Sequence, residues 1–319
     1  MKMNYVVVIV TYNRLPLLKE CLKQIDAQSL KFNEMVVVNN CSTDGTAEFL
    51  HEYAKHRNDI TIITTKQNLG GSGGFELGIR SVPDKADYVL LIDDDAILHK
   101  NFLEEIDSHR EDGIYGYSGT VLTDGSIDTS HRRRLADPIF MLKTDVPARE
   151  YNKETFLYDL SSFCGLVVSR KLIDQIGFPR GDYFIWYDDT EYSLRIRNFS
   201  KIKNINRAWI FHKALKNKDG LLSWKSYYGY RNQIHIGKHY SKCPWLYKKY
   251  RYMYHTYKIL YYHMLAKVKK IQKKNNNDYM AWEELHRDVL HDSKQNILGI
   301  NKKYVPGKRA KEKNNAAKD

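Results

Sequence analysis

The chain has 319 residues, 42% of them hydrophobic, so a real core can form. Its formal net charge of +13 favours anionic partners such as nucleotide phosphates, acidic lipid headgroups or nucleic acid. The four cysteines, Cys21, Cys41, Cys164 and Cys243, show neither a CxxC pair nor zinc-ligand spacing, and no apolar run nears the roughly 18 residues of a spanning helix. These features exclude a zinc module and a membrane-crossing chain, and point to a reduced, cytoplasmic protein.

Tyr5–Val10 is a continuous run of mostly β-branched residues, the pattern of a strand buried on both faces. Leu15–Gln28 reads as a helix with Pro16 in its first turn. Met35–Val38 is a second strand, Thr46–His56 a second helix and Ile60–Thr64 a third strand. Gly74–Arg80 opens a third helix, and Tyr88–Ile92 is a fourth strand running into Asp93-Asp94-Asp95. This alternation predicts an α/β fold with a mostly parallel central sheet flanked by helices, in which ligands bind beyond the carboxyl ends of the strands. Residues 113–212 are less regular, with short β-like runs at Gly116–Val121, Leu166–Ser169 and Ile205–Phe211. No acidic residue occurs from Gly220 to Asn277, where Leu246, Tyr250, Met253, Tyr257, Leu260, Met264, Val268 and Ile271 recur at three- and four-residue steps. That is an amphipathic helix with a basic face. The expected organisation is an α/β domain over 1–220, a basic, Tyr-rich helical extension over 221–301 and a disordered tail over 302–319.

The strongest chemical signal is the aspartate triplet. Three carboxylates at a strand end repel one another unless a cation sits among them. In an extended backbone Asp93 and Asp95 share one side, and two hard oxygen ligands suit Mn²⁺ or Mg²⁺. The competing reading is a solvated acidic turn. In Phe184-Ile-Trp-Tyr-Asp-Asp-Thr-Glu-Tyr192, Asp188, Asp189 and Glu191 lie among aromatics, where a partly dry setting raises carboxylate pKa values and makes a useful base. A helix N-terminus favouring acids explains the same residues. Asn68-Leu-Gly-Gly-Ser-Gly-Gly74 lets a ligand approach the backbone ahead of a helix start, although it matches neither the dinucleotide fingerprint nor a P-loop. His212, after Trp209-Ile-Phe211, is a structural histidine or a third ligand beside Asp93 and Asp95; a carboxylate–imidazole set leans toward Mn²⁺.

In this order the pieces resemble the family 2 glycosyltransferases of GT-A fold. The matching segments are Val10-Thr-Tyr-Asn-Arg14, Val38-Asn-Asn-Cys-Ser-Thr-Asp-Gly-Thr46, Asn68-Leu-Gly-Gly71, Asp93–Asp95, Asp188-Asp189 and His212, over roughly Met1 to Lys213. The Gly-rich segment, the Trp-Tyr-Asp-Asp run and Tyr228-Gly-Tyr-Arg-Asn232 look most like the galactofuranosyl- and rhamnosyltransferase branch. One departure is Asn39, where many relatives carry Asp. The resemblance makes 1–220 a nucleotide-sugar-binding and catalytic domain. It implies that Thr11, Arg14, Asn40 and Asn68 hold the donor's base and ribose, with Gly70, Gly71, Asp94, Trp186 and Asp188 also contacting substrate. It implies Asp93, Asp95 and His212 as ligands of Mn²⁺ or Mg²⁺, and Asp189 as the base that deprotonates the acceptor. The reaction would be a single inverting transfer from a nucleotide-diphosphate sugar, UDP-galactofuranose or dTDP-rhamnose, to a glycan or lipid-linked glycan in cell-surface polysaccharide synthesis.

The basic extension has two readings: an interfacial helix on an anionic leaflet, placing the enzyme on the inner face of the membrane, or a helical cap on the catalytic domain. A nucleotidyltransferase also fits a nucleotide fold with carboxylate-held metal, but Thr11-Tyr-Asn-Arg-Leu-Pro16 is not its Gly-rich, basic first loop. A nucleic-acid-binding protein fits the charge, yet gives the acidic clusters no purpose, and no nucleic-acid partner is expected.

Overall fold

A computed structural model describes residues 3–213 and 223–306. Every residue of β1 (Tyr5–Thr11) is buried, as an apolar run covered on both faces must be. There follow α1 (Leu15–Asp26), β2 (Glu34–Asn39), α2 (Thr46–Ala54), β3 (Ile60–Thr64), α3 (Gly70–Arg80) and β4 (Tyr88–Asp93). Strand β1 pairs in parallel with β2 and β4, and β2 with β3. Side chains alternate between the faces. Val6, Val8 and Val10 join Val36, Val38, Phe75 and Ile79 in one core, while Val7 and Ile9 join Val37, Leu18, Leu22 and Ile25 in the other.

Helix α3 begins at Gly70, four residues before the expected Gly74, so most of the Gly-rich segment is helix. Asn68 Oδ1 accepts the Gly70 N–H at 2.7 Å and supports that first turn. The glycines serve packing: a Cβ at Gly74 would lie 2.6 Å from Val10 Cγ1, and one at Gly78 2.4 Å from Val8 Cγ1. The helix therefore rests directly on β1.

The chain continues through β5 (Ala96–Leu98), α4 (Phe102–Ser108), β6 (Gly116–Thr123), β7 (Ser126–Ile127), β8 (Arg132–Asp137), β9 (Leu142–Asp145), β10 (Thr155–Tyr158), β11 (Leu160–Ser161), β12 (Leu166–Ser169), α5 (Arg170–Ile176), α6 (Asp188–Arg197) and β13 (Ile202–His212). The large sheet has the order β10-β13-β6-β12-β4-β1-β2-β3, with β5 on β13 and β7 on β6. Strand β12 runs antiparallel between β4 and β6, and β13 returns parallel to β6. A small sheet has the order β11-β8-β9. The fold is thus α/β with a large, mostly parallel sheet flanked by helices.

The chain divides into two compact units. One comprises the described residues of Met1–Ala136, Lys143–Gly181 and Asp188–Leu215. The other comprises those of Asp137–Leu142, Asp182–Tyr187 and Lys216–Asp319. The expected boundary near residue 220 lies outside the described residues, as does 307–319 of the expected tail. Residues 302–306 are described, and Tyr304 is buried there. Its ring stacks on Tyr227 with centroids 4.4 Å apart, and its hydroxyl donates to Asp288 Oδ2 at 2.8 Å. An aromatic pocket thus claims a residue that composition assigned to a loose tail.

The second unit contains α7 (Lys225–Tyr240), α8 (Pro244–Ile271) and α9 (Asn277–Gln295). Tyr228-Gly-Tyr-Arg-Asn232 on α7 grips the segment 183–187. The buried Asn232 amide donates to the carbonyls of Tyr183 and Ile185, each at 3.1 Å, and of Trp186 at 2.8 Å. Arg231 donates to Tyr183 O at 3.2 Å and to Gly299 O at 2.6 Å. Phe184, Trp186 and Tyr187 all have positive φ, near 66°, 65° and 72°. Residues with side chains hold that conformation only when their surroundings fix it. Among the described residues no helix is long and apolar enough to cross a membrane.

Candidate active site

Parallel strands end together, so the ends of β1, β2 and β4 meet: Thr11 lies opposite Asn39, and Val10 opposite Asp93. Strand β4 stops at Asp93, and Asp94 and Asp95 form a turn. The extended geometry that would alternate the three carboxylates does not persist. Instead Asp94 and Asp95 share a cation. Arg14 Nη1 donates to Asp94 Oδ1 at 3.2 Å and to Asp95 Oδ2 at 2.5 Å, and Thr11 Oγ1 donates to Asp94 Oδ2 at 2.7 Å. Thr11 and Arg14, which the resemblance assigns to the nucleotide, thus brace the acid cluster. Burial lifts the Asp94 carboxyl to about 6 despite Arg14 and Thr11. Burial, then Asp95 and Asp94, push Asp93 well above the usual carboxylate range.

His212 ends β13, with Nε2 3.6 Å from Asp95 Oδ1. Asp95 Oδ1 and His212 Nδ1 are both buried, and neither has a hydrogen-bond partner in the structure. Buried polar atoms are seldom left so, and Asp95 Oδ1 with the facing His212 Nε2 offers a carboxylate oxygen and an imidazole nitrogen to a cation. The residues present therefore fit a divalent cation. The His131 ring lies 4.9 Å from that of His212, and Asp128, His131 and His212 bring one ligand atom each within 4.8 Å of one another. The Asp128 side chain accepts from the Ser130 N–H and hydroxyl, and its Oδ2 lies 3.5 Å from His131 Nε2. The hydrogen bond with His131 holds the Asp128 carboxyl well below its ordinary value, while burial lowers the His131 imidazole. Sequence reasoning missed Asp128 and His131; their three-residue spacing, which puts two side chains on one face of a single turn, is the signal that finds them.

At the ends of β2 and β3, Asn40 Nδ2 donates to Asn68 Oδ1 at 3.1 Å and to Gly70 O at 2.9 Å, and Asn40 Oδ1 accepts the Leu69 N–H at 2.8 Å. This interlock fixes the start of α3, and a Cβ at Gly71 would meet open space. Asp188 heads α6, buried beside Ser72 of α3. Burial and the adjacent Asp189 raise its carboxyl to about 7, and its charge acts on Asp93 in turn. The Gly-rich helix start, the aspartate triplet and Asp188 therefore belong to one cluster. Asp189 is half-buried and accepts the Thr190 N–H at 2.5 Å. Its charge is felt by Lys143, whose ammonium burial and Arg133 lower to about 8. Lys143 gave no sequence signal, because β9 brings it in from the irregular middle of the chain. Glu191 is paired with Arg195 at 2.8 Å, the helix-supporting role. Trp186 falls in the second unit, 45% exposed, where a Cβ at Gly229 would lie 2.9 Å from its ring.

The family model described as glycosyl transferase family 2 matches residues 6–175, more than half of the chain. The chain belongs to glycosyl transferase family 2. Its relatives include a low-salt glycan biosynthesis hexosyltransferase, Agl10, of Haloferax volcanii. That protein is 25% identical over 206 residues, which cover 63% of this chain and 62% of the relative. The dTDP-rhamnosyl transferase RfbF of Shigella flexneri is 25% identical over 214 residues, covering 64% and 67%. The chain thus spans between three-fifths and two-thirds of those relatives. The fold resembles the crystal structure of GalNAc-T7 with UDP, GalNAc and Mn²⁺, with a TM-score of 0.63, 15% identity, and coverage of 92% of this chain and 56% of that one. The GT-A-type α/β architecture expected from the sequence is the architecture found, and membership of glycosyl transferase family 2 displaces the nucleotidyltransferase reading.

Proposed function

We propose that this glycosyltransferase is inverting and uses a divalent metal to move a sugar from a nucleotide-diphosphate donor to a glycan or lipid-linked glycan acceptor. The observation that carries the reading is Asp95 Oδ1, buried without a hydrogen-bond partner and 3.6 Å from His212 Nε2, beside a carboxylate cluster at the strand ends. Asp93, Asp95 and His212 would hold Mn²⁺, or Mg²⁺, and the imidazole favours the former. Bound there, the ion would supply charge neutralisation for the departing diphosphate. The amides at the start of α3, near Gly70 and Gly71, would face the same phosphates, with the helix dipole behind them. Asn40 and Asn68 would border the nucleoside. Asp189 would accept the proton of the acceptor hydroxyl as its oxygen bonds the anomeric carbon; the bond to the diphosphate breaks on the opposite side, and the diphosphate leaves with the electron pair. Asp188, with its carboxyl near 7, would exchange protons beside it.

For the donor, the name of the Shigella relative supports dTDP-rhamnose, and the branch resemblance supports UDP-galactofuranose. We place the enzyme in the cytoplasm, peripheral on an anionic inner leaflet, where lipid-linked acceptors are presented. A screen of nucleotide sugars for hydrolysis and transfer, with and without Mn²⁺, tests the reading. Asp189→Asn should lose transfer while nucleotide binding, followed by calorimetry, persists. Near-normal turnover of that variant would end the role of Asp189, and equal nucleotide binding with and without Mn²⁺ would end that of the metal.

A further inference from the structure

Helix α8 is built inside out. The side chains it buries are Tyr247, Arg251, His255, Ile259 and Ala266, and it packs against α7 and α9. His255 Nδ1 there lies 2.9 Å from His286 Nδ1 of α9. On the opposite side, Met253, Tyr257, Leu260, Met264, Val268 and Ile271 recur at three- and four-residue steps, between 46% and 81% exposed. A helix ordinarily turns such a stripe inward. A contiguous apolar surface left in water marks a place where something else docks.

The charges around the stripe identify the occupant. Helix α8 contains six lysines and no acidic residue in its 28 positions. Lys249 precedes Met253 by four residues and Lys267 follows Met264 by three, so both border the stripe, and both are exposed. A second copy of this helix would bring one lysine row against another. Trp245, 68% exposed at the head of the helix, and the tyrosines have the amphipathic rings that settle at the headgroup level of a bilayer. The helix is about 42 Å long at 1.5 Å per residue, yet too polar to span a membrane. We propose that the outer face of α8 docks on an anionic lipid bilayer, with its axis in the interface plane and the Met253–Ile271 stripe at the headgroup–acyl boundary. This deepens, and rests on, the reading of a peripheral enzyme served by lipid-linked acceptors.

The test uses the full chain and sedimentation with two kinds of vesicle: phosphatidylcholine alone, and phosphatidylcholine containing about one-third phosphatidylglycerol. The wild type should pellet with the anionic vesicles, with a blue shift of tryptophan emission that is absent in Trp245→Phe. Met253→Glu/Leu260→Glu/Met264→Glu, all at exposed positions, should weaken binding about tenfold or more. Three results overturn the proposal: wild type left in the supernatant, undiminished binding by the triple variant, or a solution dimer that the triple variant dissolves while vesicles capture nothing. Nucleotide-sugar hydrolysis is measured on both proteins without lipid. Hydrolysis without vesicle binding removes the docking face and leaves the catalytic reading standing; vesicle binding without hydrolysis does the reverse.

Discussion

Replacing Asn232 by Ala removes the amide that donates to three carbonyls of the 183–187 segment. Tyr183 O keeps Arg231 and the Ile185 N–H as donors, so the loss falls on Ile185 and Trp186. A buried acceptor stripped of its donor costs about 1–3 kcal/mol, and water can restore part of that at both carbonyls, whose bonds are part-buried. Arg231 also loses the Asn232 Oδ1 acceptor, and three side-chain-bearing residues at positive φ lose the grip that holds them. The net destabilisation should be about 2–4 kcal/mol. Guanidinium unfolding followed by circular dichroism measures it, and limited proteolysis should show cleavage within 183–187 at denaturant concentrations that leave the wild type intact. A midpoint loss worth less than about 0.5 kcal/mol, the range of neutral surface changes, with unaltered cleavage, would refute the reasoning.

The Asp188 carboxyl, raised to about 7 from 3.8, binds its proton more tightly in the folded chain than in the unfolded one, so it withdraws stability as pH rises from about 4 to 7. Asp188→Asn should melt above the wild type at pH 7.5 and converge with it near pH 4; parallel melting curves across that range would contradict this. Tyr304→Ala opens a cavity under Tyr227 and removes one of the two donors to Asp288 Oδ2, leaving Lys303, and should lower stability by about 3–4 kcal/mol. If the tail were loose at Tyr304, chemical unfolding would register no change.

The first half of the chain was legible because β1, β2 and β4 are buried on both faces. Tyr5–Thr11 and Tyr88–Asp93 read as apolar runs whatever packs above them, and the polar residues at their ends stand out against that background. The start of α3 was misplaced because glycine usually signals a loop; here it signals helix-to-strand contact, which only the position of Val8 and Val10 reveals. The shared salt bridges of Arg14 were hidden for another reason. Its partners lie 80 and 81 residues away, and no local pattern encodes which carboxylates a guanidinium will meet. Lys143, Asp128 and His131 come from short strands and turns in the irregular middle, where period-two patterns are too brief to place a side chain. Helix α8 was correctly periodic, but periodicity gives a face without its direction; the outward turn of Met253 and Leu260 follows from the burial of Arg251 and His255 on the other side.

A fixed guanidinium inside a nest of acids changes how the nest can assemble. Arg14 travels with the chain, so the turn after β4 carries its own counter-charge through folding and closes without waiting for a solute. A divalent ion arriving later would find Asp95 Oδ1 open but Asp94 Oδ1 and Asp95 Oδ2 already held by Arg14, so its hold on the protein must be measured against a resident competitor.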